Sequence, residues 1–314
     1  MQMMQIQGLD RPVSRLIMGS DFFSTDKMEL VSRMLESYLS IGGNVVDTAF
    51  LYSGGNSEKA IGLWLEQNRD KGLMVLTKGA HPIGNSGPRV NRDAIYEDLM
   101  ISLERLGSDS VDLYALQRDD PDTPVGEIVE ALNEHVEAGR IRAFGGSNWT
   151  WQRLEEANQY AKEHGLIGFS FSSPNLSLAK AKEPYWAGCV SADQTTIEWH
   201  EKTQMPLMSW SSQARGFFTG RYTRDNFENK DLVRVFYNDA NWERYDRATE
   251  LAKQKGVSTI QIALAYVLNQ SFPCGAIIGP QNEAEMQSCA EAEKITLTKT
   301  EIEWLDLQRD TLDE

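Results

Sequence analysis

Short apolar runs rich in β-branched residues recur along this chain, separated by longer stretches in which apolar residues return every three or four positions. Side chains alternate along a strand and repeat roughly every 3.6 residues around a helix, so the runs predict strands and the stretches predict helices. Strands are expected at 15–19, 44–47, 73–77, 111–115, 141–145, 168–172, 206–210 and 274–279. Helices are expected at 27–41, 57–68, 91–106, 124–138, 151–164, 186–204, 248–255 and 259–269, with one more from 283. In the third of these, Ile95, Leu99, Leu103 and Leu106 line one face, and Gly107 stops it. The fourth has Pro124 near its start and Gly139 just past its end, as helix termini prefer. Residues 5–14 are polar and turn-rich and lead into the first strand.

Strands alternating with helices imply a parallel sheet, and eight such units suit a closed (β/α)8 TIM barrel, an α/β fold. An open doubly wound sheet would be expected to carry Gly-x-Gly-x-x-Gly after its first strand, whereas the chain has Met18-Gly19-Ser20-Asp21-Phe22. No linker or change of composition divides residues 1–314, which are expected to form a single barrel domain.

Hydrophobic residues make up 41% and charged residues 25%, as in ordinary soluble globular proteins. A net charge of -15 argues against nucleic acid or an anionic membrane surface as partner. The three cysteines, Cys189, Cys274 and Cys289, have no metal-like spacing, so neither a disulfide framework nor a metal site is expected. Residues 1–10 lack the basic start and apolar run of a leader, and no run approaches the roughly 18 apolar residues of a membrane span. The expected location is the cytoplasm. The oligomeric state is left open.

In a barrel of this kind chemistry belongs at the carboxyl ends of the strands. The second strand ends in Asp47, with Tyr52 five residues on, and the third ends in Thr77-Lys78. A cation beside a phenol favours phenolate, and a carboxylate keeps that cation charged and oriented. The three residues make a candidate acid with its tuning group.

With these residues in place the chain resembles the aldo-keto reductase superfamily over nearly its whole length. The matching pieces are Asp47-Thr48-Ala49 with Tyr52, Thr77-Lys78, Val111-Asp112-Leu113-Tyr114 running into Arg118-Asp119-Asp120-Pro121, Gly145-Gly146-Ser147-Asn148, and Gly279-Pro280. The resemblance implies a barrel that binds NAD(P)(H) without a Rossmann fold and interconverts carbonyls and alcohols. It makes Tyr52 the general acid, Lys78 the group that lowers its pKa, and Asp47 the partner of Lys78. The family's fourth catalytic residue is a histidine, and Gln117 stands in its place. A glutamine amide can orient a carbonyl oxygen but cannot titrate near neutral pH. A branch reducing conjugated double bonds and the potassium-channel β subunits also lack that histidine. The second function to weigh is therefore a cofactor-binding sensor or regulatory barrel with weak catalysis.

By the same resemblance, Ser147 and Asn148 meet the nicotinamide carboxamide, helped by Ser173 or Asn175, and Trp210 stacks on the ring. Ser211, Gln213 and Arg215 belong to a pyrophosphate loop. Gly279, Gln281 and the following helix start close the adenosine side, where residues 279–293 hold no basic residue but do hold Glu283 and Glu285. A carboxylate repels a 2'-phosphate and accepts from a ribose diol, so NAD(H) is favoured over NADP(H); Asn282-x-x-Glu285 also makes a capping box. The substrate is expected to be a small aldehyde, ketone or sugar-like compound. His81 and Pro82, the long segment 217–242 with Phe217, Phe218, Tyr222, Phe236, Tyr237 and Trp242, and Trp149, Tyr185, Trp186 and Trp199 are candidate walls.

Overall fold

The structure, a computed structural model, describes residues 1–84 and 87–312. Eight strands form its centre: β1 (Leu16–Gly19), β2 (Val45–Asp47), β3 (Met74–Gly79), β4 (Val111–Leu116), β5 (Ile141–Ser147), β6 (Phe171–Ser173), β7 (Leu207–Ser209) and β8 (Cys274–Ile278). All pair in parallel, each with its neighbours in sequence, and β8 closes the ring on β1. The expected (β/α)8 barrel is what the chain forms.

Alternation along each strand decides what enters the barrel. Ile17, Val45, Met74, Leu76, Leu113 and Ala115 share one buried cluster in the lumen. Their neighbours Leu16, Val46, Val75, Tyr114 and Leu116 pack with the helices outside. Carrying the same period toward the carboxyl ends points Asp47, Lys78, Gln117, Ser147, Ser173 and Trp210 into the upper lumen, two residues beyond Val45, Leu76, Ala115, Gly145, Phe171 and Met208. Gly145 is required there, because a Cβ at that position would lie 2.4 Å from the Phe171 ring.

The amino end is closed by a feature the apolar pattern missed. Met3–Met4 pairs antiparallel with Val13–Ser14, and Met4, Ile6 and Val13 join the lumenal cluster as its floor. Two-residue strands are too short to show a period, so residues 5–14 looked like a plain lead-in.

Two helices differ from expectation. The irregular 186–204 stretch is helical only over Gln194–Thr203, where Asp193 accepts from the Thr196 N–H. The helix expected at 248–255 begins at Asp239, with Lys230–Phe236 before it. Its first half buries little beyond Asn241 and Trp242, which left the apolar period invisible. The aromatics of 217–242 are corrected most. Phe217, Phe218, Phe236, Tyr237 and Trp242 are buried, with Phe217 touching each of the others and Tyr245. They form core under the β7–β8 connection and leave little of it as a lid. Trp149 and Trp199 are buried too, their indole N–H groups donating to Arg118 O and Glu155.

Behind β6, His200 is fully buried, bonded to Ser172 Oγ at 2.9 Å and Met205 O at 2.8 Å. Burial pushes its pKa down from 6.5 to about 4. The unfolded chain therefore binds a proton between those values that the folded chain refuses, and stability falls as pH drops through this window. The expected loss is about 3 kcal/mol, read as a falling urea midpoint from pH 6.5 to 4. A midpoint that holds constant over that range would contradict it.

Candidate active site

At the upper lumen Lys78 Nζ lies 2.6 Å from Asp47 Oδ1. It also donates to Thr48 O at 2.8 Å and to the Tyr52 hydroxyl at 3.2 Å, so one ammonium meets a carboxylate, a carbonyl and a phenol. Asp47 and Lys78 are each only 2% exposed, and Tyr52 is half-buried. Burial alone would lower the Lys78 pKa, but Asp47 and then Tyr52 outweigh it, and the amine stays charged above its usual range. For Tyr52 the balance runs against the simplest expectation. Burial raises the phenol and outweighs the downward pull of Lys78, so its pKa lies above the ordinary 10.0. Lys78 therefore moderates a phenol that would otherwise be still weaker as an acid.

The supports of this trio come from residues the motif does not contain. Arg105 donates to Phe50 O at 2.8 Å, two residues before Tyr52, and to Glu58 Oε2 at 3.0 Å. Glu58, fully buried, accepts from Thr77 Oγ1 through its other oxygen. One ion pair thus ties the loop carrying Tyr52 to the strand carrying Lys78. Gly55, at φ +87°, leaves the room, since a Cβ there would come 2.5 Å from the Arg105 guanidinium. The sequence signal was a lone acid among Ala60, Ile61 and Trp64 on a buried helix face.

Gln117 completes this side. Its N–H donates to Gly79 O, and its carbonyl accepts from Arg118 Nη1 and Asn148 Nδ2. Its side-chain oxygen is buried without a partner. His81 lies just beyond β3, with Nδ1 against Pro82 O at 2.6 Å.

The other side of the mouth presents the residues expected to hold a cofactor. Ser147 Oγ donates to Ser173 O, and Asn148 Oδ1 accepts from Trp210 Nε1 and Val190 N, each at 3.1 Å. Asn175 is engaged with Trp210 O and Ser191. Ser173 Oγ, by contrast, is buried and unpartnered. An orphan hydroxyl beside a half-buried indole fits an amide-bearing ring such as nicotinamide. Ser211, Ala214, Arg215 and Gly216 all adopt positive φ, costly for the first three, and such sharply turned backbone can present N–H groups to phosphate. Gln213 contacts Cys289 Sγ at 3.9 Å. The Arg215 guanidinium lies against both Tyr185 and Trp186, 4.9 and 5.2 Å from their rings, and Trp186 reaches Trp210 at 5.9 Å.

On the adenosine side Gln281 Nε2 donates to Gly279 O, and the Gln281 N–H donates to Glu285. Asn282 accepts from the Glu285 N–H and caps helix Glu283–Ala292. Folding adds what the local sequence lacked. Arg221, from the β7–β8 connection, pairs with Glu285 at 3.2 Å, so a basic group does stand at this turn. Among the described residues no group of acids, histidines and cysteines could hold a metal ion, and no helix is long and apolar enough to cross a membrane.

Known proteins resemble this arrangement over most of its length. The model of the Aldo/keto reductase family matches residues 15–308. The uncharacterized oxidoreductase YrpG of Bacillus subtilis is 27% identical over 91% of this chain and 89% of its own. A probable voltage-gated potassium channel subunit beta of Oryza sativa is 27% identical over 90% of this chain and 89% of its own. The solved glycerol dehydrogenase AKR11B4 of Gluconobacter oxydans has the same fold at a TM-score of 0.79 and 24% identity, covering 97% of this chain and 94% of that one. With a family model that runs from the first barrel strand past the last helix, the chain belongs to the aldo/keto reductase family.

Proposed function

We propose that this chain is a single catalytic barrel, 1–314, that reduces the carbonyl of a small aldehyde, ketone or sugar-like compound, with Tyr52 as the proton donor. Membership of the family makes it an oxidoreductase acting between carbonyl and alcohol with NAD(P)(H). The observation that carries the finer reading is the contact of Tyr52, Lys78 and Asp47 at the lumenal mouth, close to the chain's open polar atoms. Ser147, Asn148, Ser173 and Trp210 would hold a nicotinamide, which would supply hydride for the carbonyl carbon. Tyr52 gives its proton to the carbonyl oxygen, Lys78 steadies the phenolate left behind, and Asp47 keeps Lys78 charged. Gln117 orients the carbonyl through its amide and takes no proton.

For the cofactor we favour NAD(H). Glu283 and Glu285 occupy the first turn of the last barrel helix, and the charge of Arg221 is already matched by Glu285. The sensor reading has a potassium-channel subunit among its relatives, but the intact acid, amine and carboxylate argue for turnover.

The test follows nicotinamide absorbance over a panel of aldehydes, ketones and sugars, with NADH and NADPH, for the natural chain and Gln117→His. Turnover by the natural chain with a higher kcat/KM for NADH is expected. No turnover by either protein with cofactor binding intact would leave the sensor, and a large NADPH preference would end the NAD(H) assignment alone.

A further inference from the structure

Six charged side chains are buried among the described residues: Asp47, Glu58, Lys78, Asp98, Arg118 and Glu293. Five have an opposite charge within 4 Å, in the pairs Asp47 with Lys78, Glu58 with Arg105, Asp98 with Arg89, and Glu293 with the terminal amine. Arg118, 8% exposed, has none among the described residues. Burying a cation without a counter-ion is costly, and the usual remedy is a nearby acid.

The remedy lay within reach in the sequence and is spent elsewhere. Asp119, the next residue, faces Arg153 at 3.0 Å, and Asp120 accepts from Thr123 Oγ1 and the Asp122 N–H. Arg118 is met instead by two neutral acceptors, Ala187 O from Nε at 3.0 Å and Gln117 O from Nη1 at 2.8 Å. Nη2 makes no hydrogen bond among the described residues, and the side-chain oxygen of Gln117, the preceding residue, is buried without a partner. Close packing fixes the guanidinium there, since a Cβ on Gly188 would lie 3.1 Å from Arg118 Cδ.

We propose that Arg118 Nη2, with the Gln117 amide, binds an anionic group of the substrate, so that the preferred carbonyl compound carries a carboxylate or phosphate. The proposal rests on the oxidoreductase reading and narrows its substrate class. A bound anion would supply the counter-ion that the chain withholds, and would fix the carbonyl end of the molecule near Tyr52. In the free protein the charge is tolerated because it lies at the rim, with two carbonyls on it.

The test compares matched carbonyl compounds that differ only in charge: succinic semialdehyde against butanal, and glyceraldehyde 3-phosphate against glyceraldehyde. A preference of about tenfold to a hundredfold in kcat/KM for the anionic member of at least one pair is expected, the span of one charged hydrogen-bonded contact. The pair that shows it tells carboxylate from phosphate. Arg118→Met should shrink that ratio toward one, and Arg118→Lys should restore part of it, which a mere loosening of the 187–188 loop would not do. Equal use of charged and neutral members by the natural chain, or a ratio untouched by Arg118→Met, overturns the proposal. Should no member of either pair be turned over, the oxidoreductase reading fails separately. Succinate titrated into the nicotinamide-saturated protein, followed by tryptophan fluorescence, then decides: binding weakened at least about tenfold by Arg118→Met upholds the anion site, and no binding rejects it.

Discussion

Replacing Tyr52 by phenylalanine is expected to lower kcat for carbonyl reduction by a factor on the order of 10³ to 10⁴, the usual worth of a placed general acid. The fold should survive. Lys78 keeps Asp47 at 2.6 Å and Thr48 O at 2.8 Å, so the change strands no buried charge. Stability should move by about 1 kcal/mol at most, the net value of one hydrogen bond. Cofactor affinity should hold as well, because Ser147, Asn148, Ser173 and Trp210 sit across the mouth and none of them bonds to Tyr52. The pH dependence of the natural chain adds a second readout. Reduction needs the neutral phenol, and burial holds its pKa above 10.0. Reduction should therefore stay level through neutral pH and decline only in alkali, while oxidation of the alcohol, which needs phenolate, should climb with pH over the same span. Stopped-flow kinetics and a fluorescence titration of cofactor measure all of this. Retention of a tenth or more of the rate by Tyr52→Phe would remove the phenol from the chemistry.

Most of the barrel was legible because its signals are periodic. Eight strands and the residues at their carboxyl ends follow from alternation, and the same alternation carried Asp47, Lys78, Ser173 and Trp210 inward. What escaped had no period or depended on contacts far apart in sequence. The floor hairpin Met3–Met4 with Val13–Ser14 is too short to alternate. The aromatics after β7 could equally line a pocket or a core, and only the ring contacts around Phe217 decide for core. Arg105 and Arg221 act on partners 47 and 64 residues away, Glu58 and Glu285, which no local pattern announces. Arg118 was visible within its motif, yet its lack of an acid appears only once every other buried charge has been paired.

Lys78→Met is expected to show how chemistry and stability are joined in this site. Lys78 is the counter-ion of a carboxylate 2% exposed, and the thioether offers Asp47 nothing in exchange. Breaking one side of a buried pair costs about 3–5 kcal/mol, so the variant should unfold at a clearly lower urea concentration or let Asp47 take up a proton. Its catalytic loss has a separate cause. Without the ammonium the downward pull on Tyr52 vanishes while burial remains, so the phenol pKa rises further and alcohol oxidation at any fixed pH falls. Reduction should fall too, by on the order of 10² to 10⁴, because the phenolate formed at proton transfer has lost the cation 3.2 Å away. The double variant Asp47→Asn with Lys78→Met separates the two effects. Removing the stranded charge should recover much of the lost stability, and none of the lost turnover should return with it. Recovery of both would mean that Lys78 serves the fold alone; recovery of neither would place the damage in packing around β2 and β3 rather than in the ion pair.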